Sequence, residues 1–87
     1  MSMDDQSIDE RIASRVRQAM AARRMSQKDL GNRFGQSQAW ISRRVRGQVP
    51  FSVAELATVA RVLAVPLEFL VGAVGVASTD LTPVVAS

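Results

Sequence analysis

Four serines, Ser7, Ser26, Ser37 and Ser52, mark out this chain. Each stands where a helix can begin, because a Ser hydroxyl accepts from one of the backbone N–H groups that a new helix leaves unpaired. In Ser7-Ile8-Asp9-Glu10, Ser26-Gln27-Lys28-Asp29 and Ser52-Val53-Ala54-Glu55 an acid follows three residues later, giving the form of a capping box. Ser37-Gln38-Ala39-Trp40 has the capping Ser without the acid. Starts so closely spaced leave room only for short helices joined by short turns.

Apolar residues recur at helical spacing after each start. Ile8, Ile12, Val16 and Met20 form a stripe in four-residue steps, with Arg11, Arg15, Arg17, Arg23 and Arg24 mostly off it. Leu30 and Phe34 make a brief second helix, which Gly35 stops because it accepts the left-handed conformation that ends many helices. Ile41 and Val45 define a third helix, stopped at Gly47; Val53, Leu56, Val59, Ala60 and Leu63 give the fourth a wide apolar stripe. Pro66 suits the first turn of a short fifth helix carrying Leu67, Phe69 and Leu70. The expected fold is all-α and compact, five helices around one core, with no strand before residue 71. From this spacing, residues 1–6 form an acidic flexible leader, 7–71 the domain, and 72–87 a C-terminal tail that is either disordered or contributes a short strand to a dimer.

The length of 87 residues suits one small domain, and a hydrophobic content of 47% is enough to fill its core. With no Cys and no His, the chain has no disulfide, no thiolate metal site and no imidazole base or ligand. No metal, cofactor or small-molecule ligand is expected. The paired acids Asp4 with Asp5 and Asp9 with Glu10 lie in the leader and at a helix start, where acids favour the helix dipole, so catalysis is not expected. The acidic N-terminus does not resemble a signal peptide, and the apolar run Val62–Ala77 is interrupted by Pro66, Glu68, Gly72 and Gly75. A soluble, cytoplasmic protein with no membrane partner is the expectation.

Net charge is +3, unevenly spread. Residues 1–10 carry four acids and no base, residues 11–46 carry ten bases against Asp29, and residues 47–87 carry three acids and Arg61. A strongly basic middle between acidic ends suits a polyanion, although a solvated basic face would read the same way.

The turn between helices two and three is the most informative segment. Phe34, Gly35 and a cap at Ser37 bring the two helices together at a large angle, a helix-turn-helix, with Ile41 and Val45 inward and Gln38, Ala39, Ser42, Arg43 and Arg46 outward. The segment "SQKDLGNRFGQSQAWISRRVRGQVPFSVAELATVARVLAVPLEFL" resembles the Cro/CI-type helix-turn-helix domain of phage repressors and XRE-family regulators, over about residues 8–71. The resemblance implies a lambda-repressor-like fold and a transcriptional repressor that binds double-stranded DNA as a homodimer on a palindromic operator, with residues 37–46 in the major groove.

By the same resemblance, Gln38, Ala39, Ser42 and Arg43 contact bases, Gln38 suiting adenine and Arg43 guanine. Gln27 contacts the DNA backbone and braces Gln38. Lys28, Ser37, Trp40 and Arg46 join it on the backbone, where contacts fix register. Leu67, Leu70 and Val71 are expected at the dimer surface. Three positions depart from the family pattern: Gly31 replaces a small Ala, Val45 replaces a Glu whose usual partner position is Met20 here, and Trp40 is open to a packing role instead of a backbone contact. The same fold also serves as a protein-interaction module, such as an antitoxin whose tail wraps a toxin. That alternative would not require the base-reading residues.

Overall fold

A computed structural model describes residues 7–72 of the chain, so the expectations for the acidic leader and for the tail from residue 73 lie outside the described residues. The described chain is all-helical: α1 (Ile8–Arg23), α2 (Gln27–Phe34), α3 (Gln38–Val45), α4 (Val53–Leu63) and α5 (Leu67–Val71). None of these helices is long and apolar enough to cross a membrane.

The four serines begin the first four helices. Ser7, Ser26, Ser37 and Ser52 accept from the N–H groups of Glu10, Asp29, Trp40 and Glu55 at 3.0–3.1 Å. A reciprocal capping box closes at Ser52, whose N–H donates to Glu55 Oε1 at 2.9 Å. The other two expected boxes make only the first bond. Asp29 is one methylene shorter than the Glu this motif uses. Glu10 turns elsewhere: its Cγ lies 3.2 Å from where a Cβ on Gly47 would be. Pro66, expected in the first turn of α5, stands one residue before it and makes no side-chain capping bond.

Helix ends were less legible. Gly35 is left-handed as expected (φ 69°), but so are Arg24 (φ 57°) and Ala64 (φ 56°). Left-handed backbone costs a residue with a Cβ about 1–2 kcal/mol. The backbone bonds Met25 N–H to Met20 O (2.9 Å) and Val65 N–H to Ala60 O (3.0 Å) offset that cost, and both following side chains pack on the core.

The core comprises Ala13, Val16, Ala19 and Met20 of α1, Leu30 of α2, Ile41 and Val45 of α3, Leu56, Val59, Ala60 and Leu63 of α4, and Leu70 of α5. Two expected stripe members stand outside it: Ile8 is 52% exposed and Val53 78%. Each is the first residue of its helix. Small residues, Ala13 and Ala19, take up the space on α1. Leu70, expected with Leu67 and Val71 at a dimer surface, is wholly buried within the domain, whereas Leu67 is exposed and Val71 half-buried. The single turn of α5 can point only one side inward, and Leu70 lies on it.

Helix α1 does more than supply apolar contacts. Arg17 Nη1 donates to Val45 O at 2.7 Å, at the end of α3. Arg23 Nε and Nη2 donate to Leu63 O (2.7 Å) and Ala64 O (2.8 Å), at the end of α4. Arg15 Nη1 donates to Phe69 O (3.3 Å) in α5, with its guanidinium 5.0 Å from the Phe69 ring centroid. Three helices thus have carbonyls near their C-termini satisfied by cations from a fourth, where such charge is favourable. Arg23→Ala is expected to lower unfolding free energy by about 1–2 kcal/mol, the lower part of the range for charged donors because one bond is exposed. Urea unfolding measures this, and Arg23→Lys should recover only part of the loss because an ammonium lacks the two-pronged geometry.

Candidate nucleic-acid interface

The joint between α2 and α3 is built from its backbone. Gly35 N–H bonds Asn32 O (3.1 Å), Gln36 N–H bonds Gly31 O (2.9 Å), and Ser37 opens α3 at once. Gly31 stands close against the turn and α3, for a Cβ there would lie 3.2 Å from Gln36 O and 3.4 Å from both Ile41 Cγ2 and Ser37 O. The departure from Ala at this position is therefore a close contact.

Helix α3 presents two faces. Ile41 and Val45 are buried with at most 1% exposure. Gln38, Ala39 and Arg43 are exposed, Ser42 is half-buried, and Arg46 is exposed just past the helix end. At about 100° per residue, these five occupy one continuous arc of roughly 140°. The expected base-facing set thus shares one arc that begins beside the buried Val45, with Gln38, Ala39 and Arg43 exposed and Ser42 half-buried within it. Val45 and Met20 both belong to the core, consistent with an apolar substitute for an ion pair.

The expected backbone set is more dispersed. Lys28 is exposed and Gln27 half-buried in the first turn of α2. Ser37 Oγ is engaged as an acceptor from Trp40 N–H, which leaves its hydroxyl proton available to donate. The brace from Gln27 to Gln38 is not formed, since no hydrogen bond joins them among the described residues. Gln38 is exposed, and two amides that water solvates gain little by pairing with each other.

Trp40 takes the packing role. It is half-buried against the core, its ring 5.5 Å from that of Phe34 between centroids and tilted by 41°, with the Arg44 guanidinium 3.7 Å from its centroid. Sequence reasoning missed Arg44. Its Nη1 donates to Trp40 O (3.2 Å) and its Nε to Glu55 Oε1 (3.4 Å), so it ties α3 to the start of α4. The spacing of four between Trp40 and Arg44 was the available signal, since residues so placed meet on a helix surface.

The arrangement therefore consists of a short helix held from behind by apolar residues and at its sides by arginines, with an amide, a methyl, a hydroxyl and a guanidinium on its free face. These are the donor, acceptor and apolar groups that read base edges, and an α-helix fits the major groove. No curated protein and no solved structure matches the chain. The family model described as helix-turn-helix domain matches residues 11–69, well over half of the sequence, and the chain belongs to this family of DNA-binding domains.

Proposed function

We propose that this protein is a sequence-specific regulator of transcription of the Cro/CI (XRE) type, a cytoplasmic repressor that covers a promoter by binding a palindromic operator as a homodimer. The observation that carries this reading is the continuous arc of α3 that gathers Gln38, Ala39, Ser42 and Arg43 beside the strip held in the core by Ile41 and Val45. Gln38 and Arg43 are the hydrogen-bonding readers, suited to adenine and guanine, and Ala39 offers a methyl to thymine. Gln27, Lys28, Ser37 and Arg46 hold phosphates and so set register. A single module of this size covers limited DNA, so two copies on half-sites about one helical turn apart supply the specificity. Leu67 and Val71, which keep exposed area on α5, are the proposed dimer contacts.

Selection of bound duplexes from a random pool at physiological salt tests the proposal. A palindromic motif is expected, and a pool without enrichment would overturn it. On the selected duplex, Gln38→Ala and Arg43→Ala should each cost about 1–3 kcal/mol and relax preference at one base position. Arg46→Ala should instead weaken binding to all sequences alike and reduce the slope of log affinity against log salt by about one. Electrophoretic titration over a salt series distinguishes the two patterns.

A further inference from the structure

We infer that Arg44 is a positioning residue, which fixes the orientation of α3 through Glu55, and that it is not a ligand for DNA phosphate. The inference rests on the base-reading role proposed for α3 and adds to it a requirement outside the outer arc.

Arg43, Arg44 and Arg46 are nearly adjacent in sequence, and the fold treats them differently. Arg43 and Arg46 are exposed, while the Arg44 side chain keeps 16% of its accessible surface. It is held three ways: its plane lies over Trp40 at 3.7 Å, Nη1 bonds Trp40 O, and Nε bonds Glu55 Oε1. That same oxygen accepts Ser52 N–H at 2.9 Å. One carboxylate oxygen thus both begins α4 and restrains α3.

The restraint matters because the chain from Arg46 to Ser52 is not helical, so continuity alone does not fix how α3 rolls about its axis. A helix with side chains has a radius of about 5–6 Å, so a roll of roughly 10° moves the ends of Gln38 and Arg43 by about 1 Å. That displacement exceeds the tolerance of about 0.5 Å for productive recognition geometry. Ile41 and Val45 anchor the inner side of α3, and Arg44 with Trp40 holds its flank.

Glu55→Gln separates the two possible roles. Gln keeps the oxygen that accepts from Ser52 N–H, as the capping box allows, and the charge of Arg44 is kept, but the bond to Arg44 loses its charged acceptor and weakens. If Arg44 positions α3, the variant should bind the selected duplex about 3–10-fold more weakly, a coupling of the usual size between contacting groups, with a scrambled duplex bound as before and the salt slope unchanged. Arg44→Ala should show the same pattern. In the free protein both variants should change the emission of Trp40, the chain's single tryptophan. Circular dichroism and melting temperature serve to confirm that each variant is folded.

The inference is overturned if Arg44→Ala binds the selected duplex as tightly as the wild type or more tightly, or if it lowers the salt slope by about one, the mark of a lost phosphate contact. Failure of the underlying function has a different signature. There the wild-type protein enriches no motif, and Arg44 then has no base reading to support.

Discussion

Ile41→Ala is expected to lower the unfolding free energy by about 2–5 kcal/mol, the cost of truncating a large buried aliphatic side chain. Ile41 has no exposed surface and its Cγ2 packs against Gly31 of α2, so there is little freedom for the site to collapse around the cavity. A domain this small has little stability to lose, and at about 4–8 °C per kcal/mol the melting temperature should fall by at least about 8 °C. Differential scanning calorimetry or thermal circular dichroism would measure it. Ile41→Val provides the scale, with an expected cost of about 0.5–1.5 kcal/mol. An Ala variant that melted like the wild type would mean that α3 is not seated on the core through this residue.

Gly31→Val should cost about 2–3 kcal/mol by overpacking and remove high-affinity binding to the selected duplex. A Cβ alone comes within 3.2 Å of Gln36 O, and two further methyls must displace either the turn or Ile41. Either shift carries α3 with it, because the turn opens directly into that helix. Gly31→Ala is the informative control. The gain in helix propensity of about 0.5–1 kcal/mol works against a shift of a few tenths of an ångström, so its stability should stay within about 1 kcal/mol of the wild type. Urea unfolding and a binding titration of the pair would show whether spacing at this joint sets the reading geometry, and full binding by the Val variant would refute it.

What the sequence made legible depended on range. Ser7, Ser26, Ser37 and Ser52 marked helix starts because a capping bond reaches only three residues and needs no tertiary contact. Gly35 was readable for the same reason. Arg24 and Ala64 were not, since each is held left-handed by packing of the residue that follows. The apolar stripes gave most of the core and failed at Ile8 and Val53, the exposed first residues of α1 and α4, because periodicity says nothing of what a helix end packs on. The two faces of α3 followed from a single helical period, which placed Gln38, Ala39, Arg43 and Arg46 among the exposed residues but also Ser42, which is half-buried. The roles of the arginines did not follow: Arg17 bonds a carbonyl 28 residues away and Arg23 two carbonyls 40 and 41 residues away, and only the folded chain separates them from Arg43 and Arg46.

The arginines that α1 extends to helix ends bond carbonyl oxygens, which are uncharged. Their positive charge is therefore not neutralised by the bonds that hold the domain together. Arg15, Arg17 and Arg23 consequently add to the positive field of the domain while they hold it together, and such a field would raise the encounter rate with a polyanion that they need never touch. Replacing one with Gln would leave a donor in place while slowing association at low ionic strength, and adding salt would erase that difference, because a field acting over more than about 10 Å is screened at 0.1 M.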